Sequence, residues 1–270
     1  MTKKNSFGDT LVAWQKKHGR HDLPWQNTQD PYAVWLSEIM LQQTQVVTVR
    51  EYFARFMTRF PTVADLAAAH QDEVLGLWSG LGYYSRARNM HRAAQDVVAL
   101  HGGVFPRDSE TLQTLPGIGR STAAAVASLC FGEPIAILDG NVKRVLTRYL
   151  GFKEDLASSK VEKELWAIAQ TMLPQRDVTN AMPRYTQGVM DLGSHCVHAQ
   201  KAAMRAMPSG RCVCGQGRRP ARSLSGENTQ TQTHVRAVVA VAGCHARWRC
   251  VADAAPANRR VGGLVLLACV

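Results

Sequence analysis

The sequence predicts an all-α protein that is followed by an irregular C-terminal tail. Up to residue 193 the apolar residues recur with the period of an α-helix, and signals of β-strands are nearly absent. Short connections containing Gly, Pro, Asn or Asp separate the periodic segments, as at His101-Gly102-Gly103 and Glu133-Pro134. With 270 residues, the chain is long enough to bury a core without the help of disulfides.

The clearest helix start is Asp30-Pro31, an N-cap residue followed by proline at the first helical position. The residues after it place five apolar side chains on one helical face at i, i+3 and i+4 spacing: Tyr32, Trp35, Leu36, Ile39 and Met40. We predict further helices over about 7–18, 45–59, 71–77, 85–101, 121–131, 140–149, 159–172 and 179–192, and a short one over about 109–114.

Basic residues and cysteines are concentrated after residue 193. Residues 1–193 carry 21 Lys+Arg and 19 Asp+Glu, whereas residues 194–270 carry 11 and 2. The basic character therefore does not by itself support DNA binding by the first 193 residues. Of the cysteines, only Cys130 precedes residue 194, within the apolar run AAAVASLC, where we expect a buried structural thiol. The other six match no common zinc-binding spacing: Cys196, Cys212, Cys214, Cys244, Cys250 and Cys269.

The tail, residues 194–270, contains no Ile, Phe or Tyr and shows no steady period. We interpret it as coding sequence read in the wrong frame, and a disordered basic tail is the alternative. The N-terminal residues resemble no signal peptide, and no run of eighteen apolar residues occurs. We therefore expect a cytoplasmic protein that does not contact a membrane.

The segment Leu115-Pro116-Gly117-Ile118-Gly119-Arg120-Ser121 lies between two predicted helices. Two glycines two residues apart permit a tight hairpin with positive φ angles. They also leave amide groups free at the start of the next helix, where a phosphate oxygen is held by N–H donors and the helix dipole. An ordinary αα-hairpin would explain a lone GxG, but LPGIGRSTA between helices favours a helix-hairpin-helix motif that grips the DNA backbone.

Two carboxylates stand out by their surroundings. Glu38 lies among apolar residues in WLSEIML, and a buried carboxyl has a raised pKa, which suits a general acid. A solvated Glu38 on the polar side of its helix is the alternative. Asp139, in AILDGNVKRVL, follows an apolar run and suits the N-cap of the next helix, so a bare capping role is its alternative.

The runs LPWQ, PYAVWLSEIMLQQTQV, FPTVADLA, LWSGLGYYSRARN, HGGVFP, LPGIGRSTA and ILDGNVKRV together resemble adenine DNA glycosylases of the MutY type, within the endonuclease-III superfamily. The resemblance covers about residues 7–193. It implies two helical lobes with a DNA cleft between them. We expect a six-helix lobe over about 30–138 that contains the hairpin 115–121, and a second lobe from 1–29 and 139–193. It further implies a monomer that excises adenine opposite 8-oxoguanine or guanine in double-stranded DNA.

The resemblance also implies roles for single residues. Glu38 matches the catalytic acid and Asp139 the second carboxylate. Ser121 stands where lyase-competent relatives carry a Schiff-base lysine, which implies a monofunctional enzyme that uses water. The remaining implied contacts with DNA or substrate are the wedge residues Gln43 and Tyr83, the hairpin residues Gly117 and Gly119, Asn141, and Trp25 and Gln187 near the adenine pocket. For Tyr83 and Trp25, core packing is the alternative.

The chain departs from the family pattern after Asp191-Leu192-Gly193. The family continues with four cysteines spaced C-x6-C-x2-C-x5-C that hold a [4Fe-4S] cluster. Cys196 lies one residue too early for this quartet, and of positions 203, 206 and 212 only Cys212 is a cysteine. We expect the cluster ligands to be lost, as a frameshift near codon 194 would cause. Two alternative functions stay open: a bifunctional pyrimidine-lesion glycosylase/lyase and a non-catalytic DNA-binding remnant.

Overall fold

The computed structural model describes residues 6–26, 28–152, 154, 156 and 158–195, and these residues form helices and no strand. None of these helices is both long enough and apolar enough to cross a membrane. The helices are α1 (Phe7–His18), α2 (Pro31–Leu41), α3 (Val46–Arg59), α4 (Val63–Ala68), α5 (Gln71–Trp78), α6 (Tyr84–His101), α7 (Ser109–Leu112), α8 (Arg120–Phe131), α9 (Gly140–Leu150), α10 (Ser159–Thr171) and α11 (Val178–His195).

The helix ends follow the local chemistry that the sequence indicates. Asp30 caps α2 by accepting a hydrogen bond from the Tyr32 amide at 3.0 Å, with Pro31 at the first helical position. Gly102, Gly132 and Gly151 end α6, α8 and α9 in the left-handed conformation that glycine adopts without a steric penalty. The all-α prediction is confirmed, and each predicted helix is present with ends shifted by three residues at most.

Helix α4 was not predicted. It has six residues, too few to show a helical period in the sequence. Its start is nevertheless encoded by a capping box, in which the Thr62 hydroxyl accepts from the Asp65 amide and the Asp65 carboxylate accepts from the Thr62 amide. The helix then packs on α6, which supplies the tertiary contacts that a short helix needs.

One cluster of buried apolar residues lies between helices α2 to α8 and also includes Leu23 and Trp25. Its centre is aromatic: the rings of Trp35 and Phe105 lie 5.3 Å apart, and Phe56 meets Trp78 edge-on at 5.9 Å. Helix α2, which carries Glu38, packs on α3 and α8 at one side of this cluster.

A second cluster lies between α1, α8, α9, α10 and α11 and includes Leu11, Leu146 and Met182, all without exposed surface. Helix α8 contributes to both clusters, Ala123, Val126 and Ala127 to the first and Ala124 and Ala125 to the second. The two-lobe boundaries expected from the sequence stay a prediction. The expectations for residues 196–270, including the irregular tail, lie outside the described residues.

Gly8 offers a test of how tightly the second cluster is closed. A Cβ atom at this position would lie 2.3 Å from the Pro174 nitrogen and 2.5 Å from the Leu173 carbonyl carbon, both backbone atoms. We expect Gly8→Ala to lower the free energy of unfolding by about 1–3 kcal/mol, because α1 must move away from the connection between α10 and α11. Urea denaturation of the full chain measures this change.

Gly76→Ala is the matched control, since Gly76 is also helical but has no atom within 4 Å of the added Cβ. Alanine there should raise the free energy of unfolding by about 0.5–1 kcal/mol through helix propensity alone. Equal effects of the two substitutions would contradict the close packing described at Gly8.

Candidate active site

Glu38 lies on α2 as a half-buried residue, while its neighbours Trp35, Ile39 and Met40 are buried. Burial raises the pKa of its carboxyl from 4.5 to about 7, and the negative charge of Asp139 adds to the increase. Among the described residues no hydrogen-bond donor contributes to holding the charged form. The fully solvated alternative for Glu38 is therefore wrong, and its carboxyl retains a proton close to neutral pH.

Asp139 caps α9 and at the same time lies within electrostatic reach of Glu38. Its Oδ1 accepts from the Val142 amide at 2.8 Å, and its Oδ2 accepts from the Asn141 side-chain amide at 3.0 Å. These donors and the positive end of the helix dipole stabilise a carboxylate at this position. Capping of α9 and proximity to Glu38 are therefore compatible.

Asn141 is held by a second contact that fixes which way its amide points. The Arg144 guanidinium donates to the Asn141 Oδ1, so the Asn141 NH₂ group is directed at Asp139. Helix α11 comes close on the other side, since a Cβ atom at Gly193 would lie 2.7 Å from both the Cβ and the carbonyl oxygen of Asn141. The first turn of α9 is thus fixed from two directions.

Ser121 joins the start of α8 to the residue before Asp139. Its Oγ accepts a hydrogen bond from the Leu138 amide at 3.2 Å, across 17 residues of chain. A hydroxyl at this place is no amine nucleophile and cannot form a Schiff base. Gln42, at the end of α2, donates to the Thr122 hydroxyl at 3.4 Å, which attaches the helix that carries Glu38 to the same turn of α8.

The hairpin between α7 and α8 differs in one respect from the sequence-based expectation. Gly117 has φ of +76° and a Cβ there would meet the Asn89 side chain at 2.7 Å, so this position requires glycine. Gly119 has φ of −81° as the extended N-cap of α8, so the expected positive φ is wrong there. It is exposed, with no atom within 4 Å of an added Cβ, which leaves open space at the amide groups of the first turn of α8.

Gln43 and Tyr83 are solvent-exposed and have positive φ angles, +56° and +48°. Such a backbone costs about 1–3 kcal/mol in a residue with a bulky side chain, so both loops are held by contacts elsewhere. Tyr83 is 62% exposed, which excludes core packing for its side chain.

Trp25 differs from these two residues because it is buried. It is 6% exposed and packs edge-on against Phe53 at 5.3 Å, so here the core-packing alternative describes the observed contacts.

Gln187 belongs to a polar network that sequence reasoning did not find. Its Nε2 donates to the buried Asp191 carboxylate at 2.9 Å, and Arg20 donates to the same carboxylate through Nε at 2.7 Å and through its backbone amide at 3.0 Å. Arg20 and Asp191 are 171 residues apart, so no local pattern pairs them. The network ties the chain after α1 to α11 and holds the Gln187 amide in a fixed orientation.

Arg86 is the second site residue that the sequence did not reveal. Its guanidinium donates to main-chain carbonyls at the end of α2 and in the loop before α6, next to both Gln43 and Tyr83. The run YYSRARN contains two arginines of equal appearance, and only the structure distinguishes half-buried Arg86 from exposed Arg88.

The described residues contain no group of three or more His, Cys, Asp or Glu side chains that could hold a metal ion. Cys130 does not fit a cluster ligand, because burial raises the pKa of its thiol to about 12 and a metal binds the thiolate. Asp30 and Glu38 add to this increase. Cys196 and the other tail cysteines lie outside the described residues, so the expected loss of the iron–sulfur ligands stays a prediction.

Comparison with known proteins identifies the relatives of this chain. The family model of the HhH-GPD superfamily of base excision DNA repair proteins matches residues 36–171. The adenine DNA glycosylase of Buchnera aphidicola from Acyrthosiphon pisum is 44% identical over 191 residues, covering 71% of this chain and 53% of that protein. The human adenine DNA glycosylase is 42% identical over 213 residues, covering 75% and 38%. The chain thus spans about half the length or less of these curated relatives.

Solved structures show the same architecture. A thermostable thymine-DNA glycosylase superposes with a TM-score of 0.67 at 27% identity, covering 76% of this chain and 92% of that one. Endonuclease III in a non-covalent complex with DNA superposes with a TM-score of 0.61 at 23% identity, covering 76% and 91%, and shows the fold alone.

The raised pKa of Glu38 predicts a specific dependence of stability on pH. The folded state keeps the Glu38 proton up to pH about 7, whereas the unfolded chain loses it near 4.5. We therefore compare the free energy of unfolding of the wild type with that of Glu38→Gln. The wild-type value relative to the variant should be greatest below pH 4.5, fall by up to about 3 kcal/mol as the pH rises to 7, and stay level above pH 7. Urea denaturation of both proteins across this range measures the difference. Parallel pH curves for the two proteins would show that Glu38 titrates normally.

Proposed function

Because the chain belongs to the HhH-GPD superfamily of base excision DNA repair proteins, we propose that it is a monofunctional adenine DNA glycosylase. Its substrate is adenine mispaired with 8-oxoguanine or guanine in double-stranded DNA. The observation that carries this proposal is the pair formed by Glu38, protonated near neutral pH, and Asp139, hydrogen-bonded as a carboxylate. The segment that the family model matches, residues 36–171, contains both residues.

The two carboxyl groups suit the two fragments that form when a glycosidic bond breaks, the base and the sugar. An adenine stacked in a duplex is out of reach, so the nucleotide must first rotate out of the helix. Glu38 then donates its proton to the departing base, which removes the need to release an anion. The sugar acquires positive charge as the bond breaks, and the Asp139 carboxylate stabilises this charge. Water then adds its hydroxyl group to C1′ and its remaining proton returns to the Glu38 carboxylate, which gives free adenine and an abasic site.

The environments of the two residues support this division of roles. Asp139 receives two hydrogen bonds and lies at a helix N-terminus, which favours its anion. Glu38 has no such donors among the described residues and lies beside a like charge, which favours its neutral form. Two carboxyl groups in such different surroundings can serve as acid and as anion in one site.

Ser121 supports hydrolysis rather than lyase chemistry. Its hydroxyl already accepts from the Leu138 amide and forms no imine with a sugar aldehyde. The open space at Gly119 and the first turn of α8 suits a DNA phosphate, which amide donors hold without reading the base sequence. The partner we propose is therefore duplex DNA bound along the face that presents the hairpin, Gln43 and Tyr83.

Replacing Glu38 by Gln should lower the single-turnover rate of adenine excision by about 100-fold or more, because the amide cannot donate the required proton. Binding to the mispaired duplex should change little, since the proton is needed only in the transition state. Asp139→Asn should also reduce excision strongly. A Glu38→Gln protein that excises adenine at the wild-type rate would exclude Glu38 as the acid.

Glu51→Gln is the matched control, because Glu51 is an exposed glutamate on α3. It should leave both rate and binding unchanged. A wild-type chain that binds mispaired DNA but excises no base would favour the non-catalytic remnant.

Borohydride reduction tests the choice between hydrolysis and lyase action. We expect no covalent protein–DNA adduct when the wild-type chain is incubated with its mispaired substrate and borohydride, because Ser121 cannot form the reducible imine. Denaturing gel electrophoresis of labelled DNA measures the adduct. Trapping of a stable complex would support the bifunctional alternative and would require a different amine nucleophile in this chain.

A further inference from the structure

We propose that Arg86 is a positioning residue that joins the loops of Gln43 and Tyr83 into one unit for insertion into the mispaired duplex. This inference rests on the proposed function, since it concerns how that site recognises DNA. Gln43 and Tyr83 are 40 positions apart in the sequence and on different elements, yet both are exposed and both have positive φ. What they share is contact of their loops with the Arg86 guanidinium.

The Nη1 atom of Arg86 contacts the first loop, which contains Gln43. It donates to the carbonyl oxygens of Ile39 at 2.9 Å and Met40 at 3.1 Å and to that of Gln42, which directly precedes Gln43. These carbonyls belong to the C-terminal turn of α2, where the helix leaves its last acceptors unpaired and a cation is favoured. Nη2 also donates to the Thr44 hydroxyl at 3.3 Å, so Arg86 contacts the residues on both sides of Gln43.

The Nη2 atom holds the second loop as well. It donates to the carbonyl oxygens of Leu81 at 3.2 Å and Gly82 at 3.4 Å, the two residues before Tyr83. The guanidinium carbon lies 5.5 Å from the centre of the Tyr83 ring and 5.2 Å from that of Trp78. The Trp78 indole donates to the Gly82 carbonyl at 3.0 Å and so contacts the same loop.

A planar, forked guanidinium is required for this arrangement. Its Nη1 contacts the loop of Gln43 while its Nη2 contacts both loops, and the single ammonium group of lysine cannot make both sets of contacts at once. Loss of the fork would release the backbone of Gln43 and Tyr83 from strained conformations that few side chains adopt unaided. Two exposed side chains that must enter one duplex together would then no longer be held in a common geometry.

Arg86→Lys keeps the charge and tests the fork. With the full chain, we measure binding to a duplex carrying an uncleavable 2′-fluorinated deoxyadenosine opposite 8-oxoguanine and to the same duplex with a thymine–adenine pair. The preference for the mispair is the ratio of the two dissociation constants. This ratio should fall about tenfold in Arg86→Lys. Arg92→Lys, on an exposed position of the same helix, should keep the wild-type preference.

A double-mutant cycle separates positioning from general stability. In a protein that already carries Gln43→Ala and Tyr83→Ala, Arg86→Lys should change the preference less than about threefold, because Arg86 acts through those two residues. An equal loss in both backgrounds would overturn the proposal and make Arg86 a structural residue only. Arg86→Gln repeats the cycle if the lysine variant does not fold.

Hydrogen exchange of the free protein gives a readout that needs no DNA. Amides of residues 42–44 and 80–83 should both exchange about tenfold faster in Arg86→Lys than in the wild type. Faster exchange in one loop alone would overturn the joint role of Arg86 even if adenine excision is normal. Faster exchange in both loops, with no preference of the wild type for mispaired DNA, would leave the coupling intact and contradict the proposed function.

Discussion

The arrangement of this site depends on one constraint. The Glu38 carboxyl is poorly solvated and lies close to a second carboxyl group, that of Asp139. Burial and the charge of Asp139 both favour the neutral form of Glu38. Asp139 accepts hydrogen bonds from the Val142 amide and the Asn141 side chain, whereas Glu38 has no such donor among the described residues. The two groups therefore differ chiefly in their hydrogen-bond donors, and these different surroundings suit them to different roles.

Helix α8 brings these two groups together. Glu38 lies on α2 and Asp139 precedes α9, and α8 contributes side chains to the apolar cluster on each side. Its alanines allow close packing on opposite faces, and its Ser128 hydroxyl accepts from the Thr186 hydroxyl of α11 at 2.9 Å. At its start, Thr122 accepts from Gln42 and Ser121 accepts from Leu138, one contact toward each carboxyl-bearing segment. Substitutions that enlarge α8 would therefore separate Glu38 from Asp139 as well as destabilise the core.

The features that the sequence predicts correctly are those encoded over a few neighbouring residues. Asp30 with Pro31, and the glycines after α6 and α8, specify helix ends through local hydrogen bonds and dihedral angles, so they can be recognised without tertiary information. The apolar face of α2 likewise indicates partial burial of Glu38. The motifs indicate Glu38 and Asp139 as candidates, but their electrostatic contact depends on segments 101 positions apart and appears only in the fold.

The features that the sequence misses depend on distant partners. Arg20 and Asp191 form an ion pair across nearly the whole described chain, and Arg86 looks like any other arginine of its helix. Gly119 shows the opposite error, since a glycine in a turn suggests positive φ although this one caps α8 in an extended conformation. The residue type limits which backbone conformations are possible, and the surrounding contacts determine which of them is adopted.

Among the described residues, three other than glycine have a positive φ, and they show how differently such a conformation is stabilised. Asp177 has a short polar side chain that accepts from the Asn180 amide at 2.8 Å, so its left-handed backbone is supported locally at the start of α11. Gln43 and Tyr83 carry long, exposed side chains, and the contacts that fix their loops come from Arg86 and Trp78 instead. The C-terminal turn of α2 shares those contacts one residue after Glu38. The same guanidinium therefore contacts both solvent-facing loops and the last turn of the helix that carries Glu38.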